Sequence, residues 1–157
     1  MKVEEVMTRD VITCTLADPL EKIVRLMSEK NISGIPVMED EKLAGIVSEE
    51  DIMKVLAGHQ PSRTLWMPSP FEVLLEIPLK DILQLRRIQD SFKDVGEKQV
   101  RDIMSRNVIT ISPYHDIEDA AALMVRNKVN RLPVLKDGKL VGIISRDDII
   151  HSLGGKR

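Results

Sequence analysis

The chain has 157 residues, a net charge of −2, 43% hydrophobic and 31% charged residues. That balance fits an ordinary globular protein and argues against a generic polyanion binder, which needs a basic face. The single cysteine, Cys14, rules out an internal disulfide, no apolar run is long enough to span a bilayer, and no secretory leader precedes Val3, so a cytoplasmic location is expected.

Val3 to Met7 reads as a short amphipathic lead-in, and the β-rich Val11 to Thr15 predicts a strand. Asp18 is placed to cap the next helix, with Pro19 at its first position and Glu21 completing a capping-box pattern. Leu20, Ile23, Val24 and Met27 then follow at i, i+3, i+4 and i+7, which predicts the buried face of that helix. Gly34 to Met38 and Leu43 to Val47 predict two strands across a polar turn, with Pro36 marking a strand end or edge. A second helix is expected from Ser48 to about Gly58.

The stretch from His59 to Gln99 begins with a loop holding Pro61, Pro68 and Pro70, and Phe71 to Ile77 predicts one short helical turn. Ile82, Leu85, Ile88, Phe92 and Val95 recur at three- and four-residue steps, the mark of an amphipathic helix. Such a helix either covers the protein's own core or serves docking or dimerisation. Beyond it, Val108 to Ile111 predicts a strand and Ile117 to Val125 a helix. Leu132 to Leu135 and Leu140 to Ile144 predict strands joined through Asp137-Gly138, a hairpin turn signal, and a last helix runs from about Arg146 to Leu153.

The two ends of the chain repeat each other. GIVSEED at Gly45 to Asp51 returns as GIISRDD at Gly142 to Asp148, 97 residues later. At that offset Val3 to Ile52 aligns with Val100 to Ile149 without a gap, with 19 identities in 50 pairs. Each copy reads β-α-β-β-α, so the fold class is α/β (α+β-like). Copies of this size make marginal cores alone and are expected to pack on each other as a pseudo-symmetric pair. The organisation is residues 1–58, an insert at 59–99, and residues 100–157.

In each motif a serine and an aspartate stand three apart where a helix begins: Ser48 and Asp51, Ser145 and Asp148. That spacing makes a capping box, which satisfies free backbone donors. The same helix terminus can also hold an anionic or hydroxyl-rich ligand, with the carboxylate suited to a ribose diol. Elsewhere the sequence offers little chemistry. His59, His115, His151 and Cys14 lack metal-ligand spacing, and no nucleophile with its base and no phosphate loop stands out. The chain is not expected to be an enzyme. With Trp66, Tyr114, Phe71 and Phe92 as its aromatics, nucleic acid is not an expected partner.

Two tandem copies ending in G-h-h-[ST]-x-x-D, where h is hydrophobic, resemble the CBS domain pair, or Bateman module. Gly34-Ile35-Pro36-Val37 and Arg131-Leu132-Pro133-Val134 match the h-P-V strand of that family. Val3-Glu4-Glu5-Val6-Met7 and Val100-Arg101-Asp102-Ile103-Met104 resemble its V-x-D-I-M opening. The insert at 59–99 is longer than the connection expected for the family.

The resemblance implies a regulatory module that needs no cofactor. It would sense AMP, ADP, ATP, S-adenosylmethionine or a related adenosyl ligand in clefts between the motifs, form a homodimer, and modulate an effector protein. It implies that Asp51 and Asp148 hold ribose hydroxyls and that Ser48 and Ser145 contact ribose or phosphate. The backbone of Ile12-Thr13 and Ile35, and of Ile109-Thr110 and Leu132, would flank the adenine in an apolar slot beside Pro36 and Pro133, and Gly45 and Gly142 would allow close backbone approach. Asn130 and Arg131 would share the Asp51 cleft and reach phosphate; Ser33 and Gly34 would face Asp148. Arg146 beside Asp147, against Glu49-Glu50, would bias the clefts differently, with phosphate favoured at Asp51. The contrasting expectation is an interaction scaffold with vestigial clefts that docks a partner through the insert.

Overall fold

The computed structural model of the protein describes residues 1–58 and 96–155. The insert helix expected from Ile82 to Val95 lies outside them. The first copy runs α1 (Val3–Val6), β1 (Cys14–Thr15), α2 (Leu20–Lys30), β2 (Gly34–Glu39), β3 (Lys42–Ser48) and α3 (Glu49–Gly58). The second runs α4 (Val100–Ile103), α5 (Ile117–Asn127), β4 (Arg131–Lys136), β5 (Lys139–Ser145) and α6 (Arg146–Leu153). β2 and β3 pair antiparallel, as do β4 and β5, each with a register shift at the equivalent place, Val37/Met38 and Val134/Leu135. The repeat extends to backbone torsions. Asn31 and Lys128 both end their helices in the left-handed region, at φ 51° and 55°, and Asp40 and Asp137 both turn the hairpin at φ 54° and 51°. Among the described residues no helix is long and apolar enough to cross a membrane.

The first strand of each copy is shorter than its β-rich sequence predicts, and the prolines explain why. β1 joins β2 in parallel only through Cys14↔Val37 and Thr15↔Met38. In the second copy the expected strand is reduced to one bridge at Ile111, whose N–H donates to Pro133 O at 3.1 Å and whose carbonyl accepts from Leu135 N at 2.9 Å. Extending that ladder toward Ile109 would need an N–H at position 133, and proline has none. The chain before Ile111, and likewise before Cys14, therefore leaves the sheet.

The capping of α2 also differs from expectation. Pro19, not Asp18, is the N-cap residue. Asp18 accepts instead from Thr15 N at 2.8 Å and from Lys22 Nζ at 2.9 Å. The helix terminus is served from the end of the insert, just before the second copy, because Leu20 N donates to Lys98 O at 2.8 Å. Along the predicted face Leu20, Ile23 and Met27 are buried while Val24 is only partly covered.

Two apolar clusters form, and neither respects the sequence repeat. The cluster beneath β2 and β3 takes Leu20, Ile23, Ile35, Val37 and Val47 from the first copy, and Val100 and Met104 from the second copy's lead-in. The cluster beneath β4 and β5 takes Ile117, Met124, Leu132, Val134 and Ile144 together with Val3 and Met7. Backbone bonds fix this exchange: Val3 N to His115 O and Thr8 N to Ile143 O, both 2.9 Å, answered by Val100 N to Asp18 O and Ile46 N to Ser105 O, both 3.0 Å. The motif glycines make room for it. A Cβ on Gly45 would stand 2.8 Å from Ser105 O and 2.9 Å from Met104 Sδ, and one on Gly142 would collide with Met7 Sδ. Cys14 is walled into the first cluster, where burial pushes its thiol up to about 12, so it is chemically quiet.

Gly45→Ala should cost about 1–3 kcal/mol, because the obstacle includes backbone. Gly142→Ala should cost less, since its obstacle is a flexible methionine; urea unfolding of both variants checks the order. Partial burial raises the Asp18 carboxyl, but the Thr15 N–H and the Lys22 ammonium outweigh it and hold the group below its ordinary value of 3.8. The folded value is thus below the unfolded one, and the associated stability is present above pH 4 and lost as pH falls through the folded value. Asp18→Asn should be less stable at neutral pH and show a shallower decline in acid, measured as Tm against pH.

Candidate functional site

Each motif places its serine at the end of a strand and its aspartate in the first turn of the following helix. The Asp51 carboxylate accepts from Ser48 N at 2.8 Å and Ser48 Oγ at 3.0 Å. Asp148 accepts from Ser145 N and Oγ, both at 2.7 Å. In return the serine oxygens accept the backbone N–H of Asp51 at 3.4 Å and of Asp148 at 3.2 Å. The first N–H of each helix is taken by the loop before the proline strand: Glu49 N donates to Ser33 O at 3.1 Å and Arg146 N to Asn130 O at 3.0 Å. Two of the first-turn donors of each helix, the N–H groups of Glu49 and Asp51 and of Arg146 and Asp148, are therefore already taken inside the protein. With those donors engaged, holding an anion falls largely to side chains.

Among the described residues, two clefts that each hold a motif serine and aspartate lie between the copies, with volumes of about 450 and 340 Å³, large enough for a nucleoside-sized ligand. One joins Ser48 and Asp51 to Ile109, Asn130, Arg131 and Pro133. The other joins Ser145 and Asp148 to Ile12, Ser33, Gly34 and Pro36. The segments freed by the proline strands, Val11-Ile12 and Val108-Ile109, supply apolar walls to them.

Other residues named from the sequence contribute no side chain to either cleft. The side chains of Ile35 and Leu132 are fully buried in the cores. Thr13 and Thr110 line neither cleft, and Gly45 and Gly142 face the exchanged methionines. The Arg146 side chain also lines neither; its Nη1 donates to Asn130 Oδ1 at 3.0 Å. Arg131 lines both clefts, not the Asp51 cleft alone, because Gly34 leaves it unopposed on the other side.

Sequence reasoning missed Ser105, whose Oγ donates to Asp51 Oδ1 at 3.4 Å, and its repeat partner Thr8, which lines the Asp148 cleft. A hydroxyl following the lead-in methionine in both copies was the available signal. It also missed Lys54 and Lys128 in the Asp51 cleft and Asp10 and His151 in the other.

The fold and its repeated motif define a tandem two-repeat module, and comparison identifies the family. The CBS domain family model matches residues 3–58 and 100–155, so this chain belongs to the CBS domain family, as a tandem pair. It is 39% identical over 155 residues to the Methanocaldococcus jannaschii protein MJ1426, covering 98% of this chain and 91% of that protein. It is 28% identical over 151 residues to the inosine-5′-monophosphate dehydrogenase of Korarchaeum cryptofilum, covering 96% of this chain but only 24% of that enzyme. Among solved structures it resembles the CBS domain pair of protein MJ0100 in complex with 5′-methylthioadenosine and S-adenosyl-L-methionine. That likeness has TM-score 0.71 and 23% identity, covering 100% of this chain and 98% of the other. The CBS-domain containing protein ATU1752 of Agrobacterium tumefaciens matches with TM-score 0.73 and 18% identity, over 98% of this chain and 99% of the other.

Ser145→Ala removes a cap oxygen and should destabilise the ligand-free protein by about 0.5–2 kcal/mol. Thermal unfolding without ligand checks this; an unchanged Tm would show that the motif does not support the helix.

Proposed function

We propose that the protein is a regulatory module that binds adenosyl compounds in the two clefts between its repeats and alters a protein partner according to their occupancy. The observation that carries this reading is that the same composite cleft is built twice. Each combines a serine–aspartate helix start from one copy with the loop and apolar segment of the other. The bound ligands named for the MJ0100 domain pair support an adenosyl class.

In this reading the free edges of Asp51 and Asp148 accept from a ribose diol. Ser48 and Ser145 hold those carboxylates in place, and Ile12 and Pro36, or Ile109 and Pro133, bracket the base. The Asp51 cleft, where Lys54, Lys128 and Arg131 offset Glu49, Glu50 and Asp51, suits a phosphorylated ligand better than its counterpart does. The Asp148 cleft, with Asp10, Asp147 and Asp148, suits a neutral or cationic one. No catalytic step is assigned.

A homodimer belongs to the same proposal. Val125, Ile150 and Leu153 on α5 and α6 are 79%, 65% and 69% exposed, an apolar helix surface that a second copy would cover.

Calorimetric titration with AMP, ATP, 5′-methylthioadenosine and S-adenosylmethionine tests the ligand class. Loss of hydrogen bonds to a charged group costs about 1.5–3 kcal/mol, so Asp51→Ala should weaken AMP binding tenfold or more. Absence of binding by all four at millimolar concentration would leave an interaction scaffold as the function. Light scattering at micromolar concentration should give a dimer for the native chain and a monomer for Leu153→Glu; a native monomer removes the dimer from the reading.

A further inference from the structure

The single guanidinium of Arg131 sits where the two clefts meet. Its Nη2 donates to Ser33 Oγ, and Ser33 itself lines both clefts. Its Nη1 lies 2.6 Å from where a Cβ on Gly34 would be, so the arginine fills the space that its own repeat counterpart leaves empty. The duplication therefore supplies one such group for two clefts. Burial pushes the guanidinium below its ordinary value, while Glu49 from one cleft and Asp147 from the other act against this.

The clefts depend on Arg131 unequally. Three carboxylates, Asp10, Asp147 and Asp148, line the smaller cleft, and Arg131 is the one lysine or arginine among its described lining residues. The larger cleft also has three carboxylates, Glu49, Glu50 and Asp51, but Lys54 and Lys128 stand beside Arg131 to balance them, although Lys54 is tied to Glu50 at 2.9 Å. A phosphate there offers the arginine fork a paired, charge-assisted contact, stronger than the neutral hydroxyl of Ser33 that now holds it.

We infer that Arg131 is the specificity-determining residue common to both clefts: an anionic ligand in the Asp51 cleft draws its guanidinium across, leaving the Asp148 cleft selective for a cationic ligand over an anionic one. This rests on the adenosyl-binding reading above. Two anions then compete for one guanidinium, whereas an anion and a cation help each other. Linkage requires the help to be equal in both directions.

Calorimetry on the full chain at fixed ionic strength, with AMP as anion, 5′-methylthioadenosine as neutral probe and S-adenosylmethionine as cation, tests this. AMP should bind one cleft at least tenfold more tightly than the other. Saturating that cleft should tighten S-adenosylmethionine about tenfold, S-adenosylmethionine should tighten AMP by the same factor, and 5′-methylthioadenosine should change less than threefold. Arg131→Gln should erase the factor. Ser33→Ala, which keeps the arginine but removes its anchor, should bind AMP more tightly; if Arg131→Gln does not fold, this variant decides. Two equal AMP sites, an S-adenosylmethionine affinity indifferent to AMP, or unchanged or weaker AMP binding in Ser33→Ala overturns the inference and leaves the adenosyl reading intact. No binding of any probe overturns both.

Discussion

The reciprocal exchange of the two lead-in segments is the constraint on which the rest of the molecule depends. Val3 and Met7 complete the second copy's core, and Val100 and Met104 complete the first. Neither copy closes its apolar cluster alone, as expected for units of about fifty residues, which bury too little surface to offset ordering the chain. Once the exchange is made, the spatial relation of the copies is fixed by backbone hydrogen bonds from each lead-in to the strand or loop of the other copy. The clefts follow from it. Ser105, carried across on the second lead-in, meets the Asp51 carboxylate, and Thr8, carried across on the first, lines the Asp148 cleft.

A second constraint opens those clefts. Pro36 and Pro133 lie in strands whose other edge could have accepted a longer neighbour. Without an N–H at the proline, the neighbouring chain pairs only beyond it and then departs from the sheet. The departing segments, Ile12 in one copy and Ile109 in the other, become apolar walls instead of ladder residues. One missing donor thus converts sheet edge into cleft wall, and it does so without leaving a buried polar side-chain atom unsatisfied among the described residues.

Local features were legible in the sequence where one residue type decides the outcome. Helical period gave Leu20, Ile23 and Met27, and the Asp137-Gly138 turn gave the second hairpin, with φ of 51° and 77°. The serine–aspartate spacing gave the capping boxes. What escaped were effects with a distant partner. Asp18 lost the cap position because Lys98 reaches the helix terminus from 78 residues away. Ser105 gave no local sign of meeting Asp51. Gly45 and Gly142 permit the close approach their residue type suggests, but nothing local shows that the approaching group is a methionine from the other copy. In each case the deciding contact comes from outside the copy concerned, and periodicity within one copy cannot register it.

Where the copies diverge, they diverge in charge at the clefts, and one divergence carries a backbone cost. Asn31 and Lys128 occupy the same left-handed position at the end of the first helix of each copy. Asparagine tolerates that conformation; for a lysine it costs on the order of 1 kcal/mol. Each residue lines a cleft: Asn31 the one with Asp148, Lys128 the one with Asp51. The substitution gains nothing for the helix end, whose capping N–H bonds equivalent carbonyls in both copies, Met27 and Ser28 in one, Met124 and Val125 in the other. Its physical consequence is a cation added to the Asp51 cleft at a position where stability alone favours asparagine. Together with Gly34 opposite Arg131, it gives two clefts of the same backbone geometry different charge balances, three carboxylates against three cations in one and three against one in the other. The duplicated backbone sets where a ligand could sit, and a few unmatched side chains around it set which charge that ligand should carry.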